Sequence, residues 1–204
     1  MLTNDDIRAE HRLAVQTTVE LVSRVTGADL DRPTPCAGWK LVDLLAHMTV
    51  QHLGFAAAAH GRGADRALWE PARVRDAVVR DPSGAYAGAA AEVLAAFSAD
   101  GVLDVPFALP EFGPEAIVPG AQAIGFHFVD YVVHGWDVAE SLDLPFTPAP
   151  EVVRAAAPIA FAVPDGDFRA AADSPFGPAL PATDADSELD RLLRHLGRSP
   201  GWRR

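Results

Sequence analysis

A chain of 204 residues, 49% of them hydrophobic, is long enough to bury one substantial core with a small second lobe. Its 17 basic and 28 acidic residues leave a net charge of -11, which repels phosphate backbones and anionic headgroups and argues against a nucleic-acid or membrane-surface partner. The opening MLTNDDIRAEH is acidic and polar where a secretory signal is basic and then apolar, no apolar run reaches membrane-spanning length, and a lone Cys36 excludes an internal disulfide or a multi-cysteine zinc site. The expected location is cytoplasmic, and a metal would have to be held by histidines and carboxylates.

Along the chain, Asn4 to Val25 puts Ile7, Ala14, Leu21, Val22 and Val25 on one face and predicts an amphipathic helix, ended by Gly27. DRPTPCAGW is too rich in turn formers to be helical. Lys40 to His60 predicts a second helix with Leu41, Leu44, Leu45, Met48 and Phe55 available for burial and His47 near its middle. After HGRG a third helical region is clearest from Gly84 to Phe97. VLDVPFALPEFGPEAIVPG has proline every few residues and reads as loop with at most short extended pieces. Pro119 opens a fourth helix running to about Ser141. A helix near Pro150 to Ala162, a proline-rich connection DSPFGPALPA and a terminal helix around Ser187 to Leu196 complete the chain. The expected fold is mainly all-α: an up-down four-helix bundle over residues 1–145 and a small helical C-terminal appendage, 146–204, packed on it.

The fourth helix carries the chemistry. At roughly 100° per residue, His127, Asp130 and His134 project within a wedge of about 60°, and Asp137 follows in the same run. One alternative is that this stripe is simply the solvent face. Yet from His127 to Val138 there is no Lys, Glu or Arg, and Phe126, Phe128, Tyr131, Val132, Val133, Trp136 and Val138 cover the remaining circumference. Such a helix is buried, and its polar stripe needs partners. Asp130 and His134, four apart, lie one turn from each other in a geometry that suits two ligands of one ion, and His47 could supply a third from the second helix.

Three segments, TPCAGWKLVDLLAHM (Thr34 to Met48), DYVVHGWDVAESLDL (Asp130 to Leu144) and LLRHLGRSPGW (Leu192 to Trp202), resemble the successive signatures of a bacterial DinB-like group. That group is related to the metal-binding domain of mycothiol-dependent maleylpyruvate isomerase. The resemblance implies a four-helix bundle holding a divalent ion, zinc first and nickel second. Its ligands are one histidine on the second helix and an acidic residue or histidine plus a histidine, four apart, on the fourth; here these are His47, Asp130 and His134. The isomerase resembles this pattern with glutamate where Asp130 stands, one methylene longer. It also carries a C-terminal domain used in catalysis, which the tail here does not resemble, so isomerase activity does not transfer with the site.

Other residues carry competing readings. His127 could replace Asp130 as ligand or simply extend the polar lining, and lining is favoured. Asp43 could accept the second imidazole proton of His47 or stabilise a helix N-terminus. Cys36 reads as a small buried hydrophobe rather than a reactive thiol. Trp39 and Trp136 are expected to anchor helix ends in the core, and His11, His52, His60 and His195 to have ordinary surface or packing roles. Two functional classes follow. One is a metal-dependent enzyme that activates mycothiol or a related thiol for transfer to, or isomerisation of, a small electrophile, with His127 and Tyr131 as candidate acids or bases. The other is a non-catalytic metal- or ligand-binding protein. The expected partners are a small molecule or thiol, and a homodimer stays open.

Overall fold

Helix boundaries follow the breaks in the sequence closely. The computed structural model describes residues 6–113, 115–170 and 174–203; the predicted starts of the first helix at Asn4 and of the DSPFGPALPA connection at Asp173 lie outside them. The elements are α1 (Arg8–Val22), α2 (Leu41–Ala59), α3 (Ala72–Arg80), α4 (Pro82–Phe97), β1 (Pro106–Ala108), β2 (Ile117–Pro119), α5 (Gly120–Ser141), α6 (Pro150–Phe161) and α7 (Glu188–His195). The all-α expectation holds: the two strands are three-residue pieces of an antiparallel hairpin, with Phe107 opposite Val118.

Helix α1 stops short of the expected Val25 because Thr26 starts a new turn: its N–H and hydroxyl both bond the Asp29 carboxylate, at 2.9 and 2.6 Å. Helix α3 is an addition to the predicted set. It ends at Asp81, whose carboxylate then caps α4 by accepting the Gly84 N–H at 2.9 Å, while Pro82 occupies the first helical position.

The long helices close a ring in which α1 packs on α5 and α4, and α2 on α4 and α5. Leu41, Leu44, Leu45 and Met48 of α2 meet Val15 and Val22 of α1, Tyr86 and Ala90 of α4, and Tyr131 and Val138 of α5 in one core. The opposite face of α5 is buried too: Phe128, Val132 and Trp136 pack against Val152, Ala156 and Ala160 of α6 and Leu192, Leu193 and Leu196 around α7. Being covered on both sides is why α5 has no Lys or Arg. Each fully buried Leu or Phe contributes roughly 1.5–3 kcal/mol of transfer free energy, so α6 and α7 are part of what holds α5 in place.

The C-terminal helices are tied together by one buried side chain. Arg169 is 2% exposed and donates to the carbonyls of Pro164 at 2.8 Å, Val163 at 3.0 Å, Gly177 at 3.4 Å and His195. A guanidinium can satisfy several carbonyls at once because its five donors lie in a fixed plane. Among the described residues no helix is long and apolar enough to cross a membrane.

Candidate metal centre

His47 sits in the middle of α2, two turns from an N-terminus set by Lys40 and Asp43. The Asp43 carboxylate accepts the Lys40 N–H at 3.0 Å and an ion pair from Arg75 of α3 at 2.5 Å. Asp43 is therefore a helix-capping carboxylate and is spent there, rather than on His47. The neighbouring Trp39 is 38% exposed and lays its ring 5.2 Å from that of His47, so it lines the edge of the cluster and is not the core anchor expected of it. Trp136 is buried as expected.

Across the groove, α5 presents Asp130 and His134 one turn apart. His134 Nε2 lies 3.3 Å from Asp130 Oδ1, and His47 Nε2 lies 3.9 Å from Asp130 Oδ2. The two imidazoles are 5.2 Å apart, nearly perpendicular. One ligating atom from each of the three residues falls within 4.8 Å of the others. Two ligands on one tetrahedral zinc ion sit about 3.3 Å apart, so the spacing fits a single ion with small adjustments. His47 and Asp130 keep side-chain exposures of 22% and 27%, against 7% for His134, so the cluster opens on one side.

His134 is oriented from behind. Its Nδ1 lies 2.8 Å from Asp137 Oδ2, which directs Nε2 toward Asp130 and His47. Asp137 is fully buried and is held by Arg198, with Nη2 3.1 Å from Oδ2 and Nε 3.3 Å from Oδ1. Cys36 completes this layer, its Sγ 3.2 Å from Asp137 Oδ2 and 3.4 Å from Arg198 Nη2. Cys36, His134 and Asp137 could also converge on a cation, but the Arg198 guanidinium already supplies the positive charge there. Burial and the Asp137 charge push the Cys36 thiol pKa up, so it is held as a thiol.

The charges are unequal. Burial lowers the His47 pKa to about 4 despite the opposing pull of Asp130. Burial also disfavours charge on His134, but Asp130 and Asp137 on either side outweigh it and raise its pKa well above 6.5. Burial acts against ionised Asp130 and Asp137 as well. His134 and His47 keep the first low, and Arg198 and His134 bring the second to about 2.

His127 belongs to a different constellation. Its Nδ1 is 2.9 Å from His11 Nε2 and its Nε2 is 3.2 Å from His52 Nδ1, forming a chain of three buried imidazoles from α1 through α5 to α2. Both nitrogens are engaged, so His127 extends the polar lining and does not stand in for Asp130. His11 and His52 have specific partners where ordinary packing was expected. Tyr131 stacks against the rings of both His52 and His127, each centroid 4.1 Å away, and gives its hydroxyl proton to the Met48 carbonyl. Neither His127 nor Tyr131 is free to act as acid or base at the cluster. His195 bonds the Val163 carbonyl at 3.0 Å.

Fold and site together define a mainly helical protein in which two histidines and a carboxylate, groups able to hold a metal ion, converge. Residues 11–139 match the family described as mycothiol maleylpyruvate isomerase N-terminal domain, and the chain belongs to that family. Two proteins of Mycobacterium tuberculosis, uncharacterized protein MT0763 (strain CDC 1551 / Oshkosh) and uncharacterized protein Rv0738 (strain ATCC 25618 / H37Rv), are each 32% identical over 193 residues, 93% of this chain and 96% of theirs. Crystal structures of the mycothiol-dependent maleylpyruvate isomerase and of a histidine-to-alanine mutant superpose with TM-scores of 0.62 and 0.60 at 16% identity, over 97% of this chain and 90% of theirs. This likeness is one of fold. It takes in nearly the whole chain, so the α6–α7 segment has a counterpart in the isomerase, contrary to the sequence expectation that the tail differs.

Proposed function

We propose that the protein binds one divalent transition ion through His47, Asp130 and His134 and uses it to activate a small thiol of the mycothiol type for transfer to, or isomerisation of, a small electrophile. The observation that carries this reading is the convergence of those three side chains at a groove open on one side. Two imidazoles and one carboxylate suit zinc, and next nickel, better than magnesium. A bound ion of this kind lowers the pKa of a thiol and so makes the nucleophile available at neutral pH. The chain's own residues do the rest. Asp137 keeps the His134 proton on Nδ1 so that Nε2 can ligate, Arg198 keeps Asp137 ionised, and Trp39 shields the outer edge of His47.

A non-catalytic metal-binding role is the second reading, favoured by the engagement of His127 and Tyr131 elsewhere. Metal analysis of untagged protein tests the shared premise: about one ion per chain is expected, lost from the His47→Ala, His134→Ala double variant, and an ion retained by that variant overturns it. Thiol addition to cobalt-loaded protein then separates the readings, because only the first expects a sulfur-to-cobalt absorption band. Chelation is expected to leave a helical circular dichroism spectrum, since the apolar core does not depend on the ion.

A further inference from the structure

The hairpin between α4 and α5 lies across the α2–α5 seam one helical turn from the cluster. Three consecutive residues at its tip make three anchorages. The Pro110 carbonyl accepts from Arg66 at 3.1 Å, Glu111 accepts from the Gln51 amide at 2.7 Å, and the Phe112 ring lies tilted against Phe126 with centroids 5.1 Å apart. Gln51 follows His47 by four residues on α2, and Phe126 precedes Asp130 by four on α5. Residues ascending α2 meet residues descending α5, since His47 faces Asp130 while His52 faces His127. The helices are thus antiparallel, and the hairpin bridges them at one level, one helical turn along their shared seam from the cluster.

What the bridge presents is chemically specific. Gln51 is 3% exposed and holds the partly buried carboxylate of the otherwise exposed Glu111 beside the exposed ring of Phe112. Partial burial raises the Glu111 pKa against the pull of Gln51, and the charges of Asp130 and Glu70 add to the rise, so the carboxylate already sits among like charges. The guanidinium that Asp130 senses, Arg198, is committed to Asp137 on the far side of His134. With an ion on Asp130, the like charges left at this end are Glu111 itself and Glu70, and a carboxylate at the far end of a bound molecule would meet their repulsion. A carboxylate next to aromatic faces is instead the combination that receives ammonium and N–H groups.

We propose that Glu111, Phe112 and Phe126 form a subsite for the far end of the bound molecule, one that accepts a flat apolar body carrying a cationic or N–H-donating head and rejects an anionic one. This rests on the reading of the cluster as a metal site that takes a thiol. It sets the ligand class apart from thiols with an anionic far end. Specificity here comes from a repulsive element as well as an attractive one.

The test uses three thiophenols as probes, para-aminomethyl, para-methyl and para-carboxy, titrated into the cobalt-loaded full chain and followed by the sulfur-to-cobalt absorption. At low salt the aminomethyl probe is expected to bind tightest and the carboxy probe weakest, with at least about a threefold spread, the scale of an exposed charge pair. The spread should narrow as salt is added. Glu111→Gln should collapse the charge order and leave the methyl probe as before, and Phe112→Ala should weaken all three. An unchanged order in Glu111→Gln, or tightest binding of the carboxy probe by the parent, overturns the subsite and leaves the metal–thiol reading standing. Failure of every probe to bind the cobalt-loaded parent overturns the thiol reading and the subsite with it.

Discussion

Asp137 accepts from His134 Nδ1 at 2.8 Å and so decides which nitrogen of that ring faces Asp130. Asp137→Asn keeps the shape and removes the charge, so zinc affinity should fall by roughly 10 to 100-fold, the usual effect of losing an outer partner of a ligating histidine. Competition with a chromogenic chelator measures it. Equal affinity in the variant would show that His134 needs no orientation.

A larger loss is expected at Asp130, whose two oxygens lie between the imidazoles of His134 and His47 at 3.3 and 3.9 Å. Asp130→Asn removes a negative charge from direct contact with the ion and should weaken zinc binding by more than Asp137→Asn does. Asp130→Glu should preserve or tighten binding if reach is limiting. Calorimetric titration of zinc into apoprotein reads both, and parent-like affinity in Asp130→Asn would remove the carboxylate from the ligand set.

The three-histidine chain makes stability fall in acid. Burial lowers the His11 pKa to about 3 and those of His52 and His127 well below 6.5. The folded chain holds these imidazoles neutral, whereas the unfolded chain binds their protons below about pH 6.5. Stability contributed by neutrality is therefore complete above pH 6.5 and is lost as pH falls toward 3, each group adding about 1.4 kcal/mol per pH unit in its window. Urea unfolding of metal-free protein between pH 7.5 and about 5 should show the midpoint decline. A flat midpoint would mean the histidines are already charged in the fold.

Gly54 sets two effects against each other. Alanine in the interior of α2 gains about 1 kcal/mol of helix propensity. A Cβ at that position would lie 2.5 Å from Trp69 Cε3, and Trp69 is fixed by its indole N–H on the Gly63 carbonyl at 2.8 Å. The clash should win, and Gly54→Ala is expected to destabilise by about 1–3 kcal/mol in thermal or urea unfolding. A stabilised variant would show that Trp69 is free to move.

Much of this was legible in the chain because helical periodicity is local. Asp130 and His134 reveal themselves by a spacing of four in an otherwise apolar helix, and His47 by its segment's resemblance to a family. Asp137 was visible, but its role depends on Arg198, 61 residues away, which no periodicity connects to it. His11 carried a usable signal: it begins the buried series Ala14, Val15, Thr18, Leu21, Val22 on α1, so its burial could have been read, although not its partner 116 residues distant. Helix α3 escaped because it buries only Val74 and Val78, too few positions to stand out as a stripe. Glu111 lay in a proline-rich loop, where side-chain direction follows from no repeating backbone geometry.

Because Arg198 follows every other residue of the cluster in the chain, synthesis delivers the parts in a fixed order. A nascent chain that has already supplied His47, Asp130 and His134 still has an Asp137 without its guanidinium, and a His134 whose tautomer is unset. Packing of the segment that follows α7 brings the Arg198 guanidinium to Asp137, so the orientation of His134 is set only once that segment is in place. A truncation just before Leu192 keeps His47, Asp130 and His134 but removes Arg198, and so separates the presence of the three side chains from the orientation of His134.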